Sequence, residues 1–298
     1  MRIAWAGTAR YSVLVLSRLV ASSHTVAVCL TTPDRPRGRH GAPQPSPVKE
    51  YAAQVGLPVL QPDDLHAPAV LDELRAFSPD VLVACAYGRI VPPELFEALP
   101  ALVVHPSLVP HLRGAAPVVR ALMAGETELG VTIVGMSAGV DEGPVAARRT
   151  VEVPRDRDAA EAYELLAGPS AEALVATLDA LATGTVTWDP QTGPADYADK
   201  LTEADRAIDW RRPASAIADQ VRALSPDVGA HTELGGRRLL VWRARPLAAL
   251  PADGAARDRL IVPCGDGVLE IVDLQEAGRR RMTAAEYLRG AGRRLVQR

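Results

Sequence analysis

Residues 101–119 read ALVVHPSLVPHLRGAAPVV. The apolar run stops at His105-Pro106, a polar turn (SLVPHLRG) follows, and AAPVVRALMAG has the pattern of a helix. An imidazole therefore stands at the mouth of what reads as a buried strand. Three roles fit that position: a catalytic base, a metal ligand, or a histidine that satisfies a loop carbonyl.

The flanking sequence repeats the same strand-then-helix alternation. RIAWAG is a strand and YSVLVLSRLVAS its helix; TVAVCLTT is a strand, separated by the Pro/Gly/Arg loop PDRPRGRHGAPQPSP from the helix VKEYAAQVG. PVLQP is a short strand, AVLDELRAF a helix, and DVLVACAYG, ALVVHP and VTIVGMSAG are further strands. Apolar runs spaced by helices of about ten residues predict an α/β fold with a doubly wound, mostly parallel sheet. In such sheets ligands sit beyond the carboxyl ends of the strands. His105, Tyr87-Gly88 and the segment SAGVDEG, which carries Asp141, all follow strands in this way.

A long helix, DAAEAYELLAGPSAEALVATLDALATG, is expected to break near Gly168-Pro169. The Pro/Gly-bearing TVTWDPQTGPADYADKLT then marks a boundary, IADQVRAL is a short helix, and HTELGGRRLLVWRARPL and RLIVPCGDGVLEIVDLQEAG alternate like short antiparallel strands with Gly turns. A small OB-like β-barrel suits that length. The expected division is a catalytic domain over 1–187, a linker over 188–205 and a C-terminal β-barrel domain over 206–298.

Composition narrows the function classes. The chain has 298 residues, 48% apolar and 23% charged, so a well-buried core is within reach. No apolar run reaches the length of a membrane span and MRIAWAGTAR carries no cleavable signal pattern, so no membrane partner is expected. Three scattered cysteines (Cys29, Cys85, Cys264) form neither a disulfide framework nor a zinc pattern, which suits a reducing cytoplasm. The histidines lack HxxxH spacing, so no metal site is expected. A net charge of -3 argues against a generic polyanion binder. The charge is uneven: from Asp205 to Arg298 there are 17 arginines against 12 acids.

Gly7-Thr8 follows the first strand without a GxGxxG pattern, and neither a Walker sequence nor GxSxG occurs. What remains is His105 and Asp141, each in a Gly- or Pro-bearing loop. A carboxylate that fixes the imidazole tautomer and stabilises its cation makes an acid–base pair. The alternative, in which His105 caps a loop and Asp141 starts a turn, stays open on the residues alone.

The stretch HPSLVPHLRGAAPVVRALMAGETELGVTIVGMSAGVDEGPV closely resembles the core of the methionyl-tRNA formyltransferase family, whose pattern runs Asn-x-His, SLLP, RGAAP, Gly-Val-Thr and Gly-x-Asp-x-Gly. The resemblance covers nearly the whole chain: AGTARYS, PDRPRGRHGAPQPSPVK, AYGRIVP and ADYADKLTEADRAIDW all have counterparts there. It implies a formyltransferase that takes its formyl group from 10-formyltetrahydrofolate and gives it to a primary amine, without a metal. It further implies that His105 assists proton transfer and Asp141 orients it. Folate is implied at Tyr87, Gly88, Ile90, Ser107, Leu108, Val109 and Pro110. The acceptor is implied at Arg39, with initiator tRNA reached through the loop 33–47 and the C-terminal domain. A monomer is expected.

The sequence departs from this pattern at the Asn that donates to the developing oxyanion, which is Val103 here. His40-Gly41-Ala42 stand where loop lysines are expected, Ala9 replaces a Pro, and Pro226 to His231 lack the family's Trp. The folate side is better kept than the oxyanion or tRNA side. A paralogue acting on another amine or with altered one-carbon chemistry, and a non-catalytic folate- or RNA-binding relative, are the alternatives.

Overall fold

A computed structural model describes residues 1–36, 41–251 and 259–290. The chain opens with β1 (Arg2–Gly7), α1 (Arg10–Val20) and β2 (Thr25–Leu30), and both strands are buried along all but their first residue. That is the signature of parallel strands covered on both faces. The short hairpin β3 (Arg35–Pro36) and β4 (Pro43–Gln44) leads to α2 (Pro47–Val55). Local chemistry bounds α2 well: the Ser46 side chain accepts from the Lys49 N–H, Pro47 occupies the first turn, and Gly56 closes the end at φ 74°. Then come β5 (Val59–Leu60), α3 (Pro68–Ala76), β6 (Val81–Cys85), α4 (Pro93–Phe96), β7 (Ala101–His105), β8 (Arg113–Gly114) and α5 (Pro117–Met123). β9 (Glu128–Gly135), β10 (Val145–Glu152), α6 (Ala159–Thr183) and β11 (Tyr197–Ala198) follow.

The chain divides into two compact units, the first made of Met1–Pro117, Glu128–Val151 and Tyr163–Ala198. Its seven-stranded sheet has the order β10-β9-β7-β6-β1-β2-β5. β5, β2, β1, β6 and β7 run parallel, as expected. β9 does not: it pairs antiparallel with β7, with Gly135 opposite Leu102 and Thr132 opposite His105. A short α5 crossover cannot return the chain to the far end of the sheet, so β9 re-enters in the opposite sense. β10 went unread in the sequence because VAARRTVE is largely exposed and carries two arginines.

The break expected at Gly168-Pro169 is also absent, since α6 runs unbroken through Pro169. Leu166, Ala167, Ala173, Leu174 and Leu178 are fully buried on either side, and this packing holds the turn that has lost one N–H donor. With 25 residues and a mean hydropathy of 1.3, α6 also has the length and composition to cross a membrane, contrary to the sequence reading. One face of the helix, with Ala162, Leu166, Leu174 and Leu178, is buried inside the protein, and Ser170 bonds the Tyr11 hydroxyl at 2.6 Å.

The second unit comprises Val118–Thr127, Glu152–Ala162 and the chain from Asp199 onward. It contains α7 (Glu203–Arg206), α8 (Ala214–Ala223), β12 (Ala230–Leu234), β13 (Arg237–Leu247), β14 (Leu260–Pro263), β15 (Val268–Glu276), β16 (Met282–Thr283) and α9 (Ala284–Arg289). The strands form one antiparallel sheet, β12-β13-β15-β14, with β16 also on β15. β13 is 11 residues long, not short, and register shifts on both sides of Arg243 bend it. The curled, half-barrel sheet wraps Ile217 and Val221 of α8 together with Leu239, Leu269, Ile271, Leu274 and Tyr287. On β15, Glu270 contacts Arg245 and Arg259, Asp273 contacts Arg243 and Arg281, and Glu276 contacts Arg237 and Arg279. The Arg259 guanidinium, aided by Arg245 and opposed by burial, holds the Glu270 carboxyl down at about 2.

Candidate active site

His105 is the last residue of β7 and 4% exposed. Its two ring nitrogens have different surroundings. Nε2 lies 2.8 Å from the Leu112 carbonyl, and Nδ1 lies 3.3 Å from Oδ2 of Asp141. A carbonyl only accepts, so the ring carries a proton on Nε2. Nδ1 then faces a carboxylate, as a lone pair when the ring is neutral and as a donor when it is cationic. Of the three roles that the sequence left open, the structure shows the third directly: His105 satisfies a loop carbonyl, and its other nitrogen faces a carboxylate. No cluster of three or more His, Cys, Asp or Glu able to hold a metal occurs among the described residues.

Asp141 reaches His105 by a route the strand pattern does not suggest. Because β9 is antiparallel, its carboxyl end lies beside Leu102, and the loop after it turns back to the other end of β7. The loop is tightly specified. Asp141 takes φ 56°, a left-handed conformation unusual for a side chain with a Cβ, and its Oδ2 accepts from the Gly114 N–H at 2.9 Å. A Cβ on Gly143 would sit 1.8 Å from the Gly135 carbonyl oxygen, so only glycine permits that approach. Left-handed residues also occur at Ala86 (φ 45°) and Leu112 (φ 54°), in the loops after β6 and β7. Strained backbone of this kind gathers at functional sites.

Val103 precedes His105 by two residues and so shares its face of β7. It is partly buried against Val109, Val134 and Val145. Ser107 and Val109 are 4% and 1% exposed, and their side chains serve the turn: Ser107 Oγ donates to the His111 carbonyl at 2.6 Å, while Val109 joins the valine cluster. Leu108 lies close against Gly130, and Pro110 follows a cis peptide bond. In the neighbouring loop the Tyr87 ring is buried in the core, and burial pushes its hydroxyl pKa up. Gly88 (φ 77°) has open space where a Cβ would stand, and Ile90 is 78% exposed. The Gly7-Thr8 turn is tied to the same loop, with the Thr8 and Ala9 N–H groups on the Ala86 carbonyl and Thr8 Oγ1 on that of Tyr87. Arg39 lies outside the described residues, as do Gly38 and His40 in the middle of the loop 33–47.

The segment between α6 and β11 supplies groups that the sequence reading took for boundary punctuation. Asp189 and Val145 exchange both backbone hydrogen bonds, and β11 pairs in parallel with β8. Asp196 Oδ1 accepts from the Leu112 N–H at 2.8 Å and contacts His111 Nδ1 at 2.9 Å. Burial opposes the charge of Asp196, but these partners outweigh it and hold the carboxyl below its usual range. Gln191 bonds the carbonyls of Asp141 and Gly143. Nothing in the spacing of PQTGPADYA distinguishes such groups from ordinary turn residues, since their partners lie about fifty and eighty positions away in sequence.

Residues 1–178 match the formyl transferase family, and residues 200–292 match the formyl transferase C-terminal domain. The chain is 38% identical over 306 residues to a methionyl-tRNA formyltransferase of Methylococcus capsulatus, covering 99% of each. It is 40% identical over 295 residues to one of Paracoccus denitrificans, covering 97% of each. Among solved structures, HypX from Aquifex aeolicus in complex with tetrahydrofolic acid superposes with a TM-score of 0.68 at 20% identity. That match covers 97% of this chain but only 47% of the HypX chain, so the present chain spans about half of that protein. Methionyl-tRNA formyltransferase from Clostridium thermocellum gives a TM-score of 0.60 at 14% identity, with 93% and 98% of the two chains covered. At these identities the structures attest the fold, and the sequence matches attest the family. The chain belongs to the formyl transferase family and is a formyltransferase.

Proposed function

We propose that the chain transfers a formyl group from 10-formyltetrahydrofolate to the α-amine of methionyl-tRNA, with His105 and Asp141 handling the proton. The observation that carries this reading is the 3.3 Å approach of Asp141 to His105 Nδ1, in a chain 38% to 40% identical over nearly its full length to relatives bearing that name. When bound, the folate supplies the electrophilic formyl carbon on its N10. His105 receives the proton that the attacking amine sheds; the bond from the formyl carbon to N10 breaks, and N10 takes up a proton as tetrahydrofolate leaves. The Leu112 carbonyl keeps hydrogen on Nε2, so Nδ1 is where the new proton is held. Protonation there creates an N–H directed at Asp141, which stabilises the imidazolium, while the Gly114 N–H keeps the carboxylate in place. Both side chains are nearly shut off from water, at 5% and 9% exposure, which strengthens their interaction.

For the folate, the reading assigns the ring to the backbone of residues 86–90 and 107–110, with Ile90 as an apolar wall and Leu108 and Pro110 opposite. Exposed Ile90 beside open backbone at Gly88 supports the fit, because a flat ring needs apolar surface with a few directed polar groups. Tyr87, Ser107 and Val109 contribute main chain only, their side chains being turned inward. Catalysis is assigned to residues 1–187 and acceptor handling to 206–298, with 188–205 between them, and Arg39 in the loop 33–47 is assigned to the acceptor. The arginine pairs around Glu270, Asp273 and Glu276 support a polyanionic acceptor, since each acid neutralises only one of its two arginines. A cytoplasmic monomer follows from this reading.

One observation favours a second reading, in which the acceptor is a different amine. Val103 sits in a valine cluster where an oxyanion donor is expected. Incubating the protein with 10-formyltetrahydrofolate and either charged initiator tRNA or a panel of small amines, while following tetrahydrofolate release, separates the two. His105→Gln and Asp141→Asn should each lower the rate by about 100-fold or more. Wild-type rates in both variants would remove the proton-handling assignment.

A further inference from the structure

We infer that Gln191, braced by Arg113, is a positioning residue that sets the geometry of the Asp141–His105 pair; the inference rests on the reading of that pair given above. The Gln191 amide uses all of its hydrogen-bonding capacity on the site. Its Nε2 donates to the Asp141 carbonyl at 2.7 Å and to the Gly143 carbonyl at 2.8 Å. Its Oε1 accepts from Arg113 Nε at 3.0 Å and Arg113 Nη2 at 2.7 Å. Two donors and two lone pairs exhaust what a side-chain amide offers.

The turn so gripped is the one in which Asp141 holds its left-handed backbone, and that conformation persists only when its surroundings over-determine it. The brace also closes on itself. Arg113 is followed by Gly114, whose N–H bonds the Asp141 carboxylate at 2.9 Å. One dipeptide thus fixes the Asp141 side chain directly and its main chain through Gln191. A cation–π contact of Arg113 with Tyr197 at 6.0 Å, and a 3.5 Å approach of Arg113 to Glu142, steady the guanidinium. Gln191 acts on the imidazole only through Asp141.

The chemistry of the grip distinguishes positioning from simple anchoring. Glutamate at 191 would keep the contact to Arg113, now as an ion pair, and the shape of the side chain. It would also set a carboxylate oxygen against the carbonyls of Asp141 and Gly143, both acceptors, and so push the turn away. A segment that needed only an anchor to Arg113 would tolerate it.

The experiment measures formyl transfer to methionyl-tRNA by the full chain carrying Gln191→Ala, Gln191→Glu, Asp141→Asn and each double variant, with melting followed by circular dichroism. We expect both single Gln191 variants to lower kcat 10- to 100-fold, with KM for 10-formyltetrahydrofolate within threefold of wild type. In the Asp141→Asn background they should lower it no further, because the residue they act through is already disabled. Gln191→Glu at the wild-type rate, or losses that multiply with Asp141→Asn, would overturn the inference. So would loss of fold in both variants, since Gln191 would then hold the structure and not the pair. If His105→Gln and Asp141→Asn themselves keep the wild-type rate, the parent reading falls and takes this inference with it; full activity of the Gln191 variants beside inactive His105→Gln removes the inference alone.

Discussion

Val103→Asn puts the departure from the family pattern to a direct test, and the structure sets its size. Val103 is partly buried and packs on Val109, Val134 and Val145, each no more than 2% exposed. Full burial of a valine is worth roughly 1.5–3 kcal/mol, so removing about half of it costs about 1 kcal/mol. An amide turned toward three valines finds no partner there, which adds about 1–3 kcal/mol. The expected loss is therefore about 2–4 kcal/mol, a fall in Tm of about 4–16 °C for a chain of this class. Against this stands the gain from a donor aimed at the developing oxyanion, about 2.7–4 kcal/mol or 100- to 1000-fold in rate. We expect the loss without the gain, because the valine cluster closes around the position that a donor would have to leave. Val103→Ala is the control: it removes packing without adding an unpaired amide, and should cost less than Val103→Asn. The assay is the initial rate of methionyl-tRNA formylation beside thermal melting. A tenfold or greater rise in rate by Val103→Asn at unchanged Tm would refute the reasoning.

Gly143→Ala should lower transfer by about 100-fold, since the new methyl group meets the Gly135 carbonyl oxygen and displaces the Asp141 turn by about an ångström; initial rates check it, and a wild-type rate would show that the turn has slack. Glu270 sets a stability window at low pH. Its folded pKa of about 2 lies below an ordinary glutamate, so its contribution is fully present above about pH 4.5 and is lost as the pH falls toward about 2. With the side chain only 9% exposed, that contribution is about 2–3 kcal/mol. Glu270→Gln should remove it at neutral pH and flatten the acid dependence in denaturant titrations, whereas an unchanged acid limb would assign that limb to other carboxylates.

The sheet was legible in the sequence wherever periodicity and burial coincide. RIAWAG, TVAVCL and VLVAC are apolar on both faces because both faces are covered, and helices of ordinary length separate them. β9 was legible as a strand but not in its direction, which depends on where α5 delivers the chain. Pro169 misled because local propensity at one residue is weaker than the packing of the turns around it. At the site, His105 and Asp141 stood out by their loops. Leu112 and Gly114 did not, because a backbone N–H or carbonyl that becomes a partner leaves no mark on residue identity, and Gln191 and Asp196 did not, because their side chains meet backbone groups far away in sequence. Their roles arise from register and from positive φ, neither of which hydrophobic periodicity encodes.

The second unit is not contiguous in sequence. Val119 and Met123, from the stretch before β9, pack on the core that Ile217 and Leu269 build, and Arg155, from the stretch after β10, pairs with Asp219 in α8. Arg222 of the same helix reaches back to the carbonyls of Leu122 and Glu126. For anyone recombining this chain with a relative, the natural-looking crossover after Ala198 would therefore split one hydrophobic core between two parents. A chimera that exchanges the C-terminal piece should also carry residues 118–127 and 152–162 from the same donor. A fragment starting at Asp199 would emerge with an apolar face stripped of its cover and a buried arginine deprived of two of its acceptors.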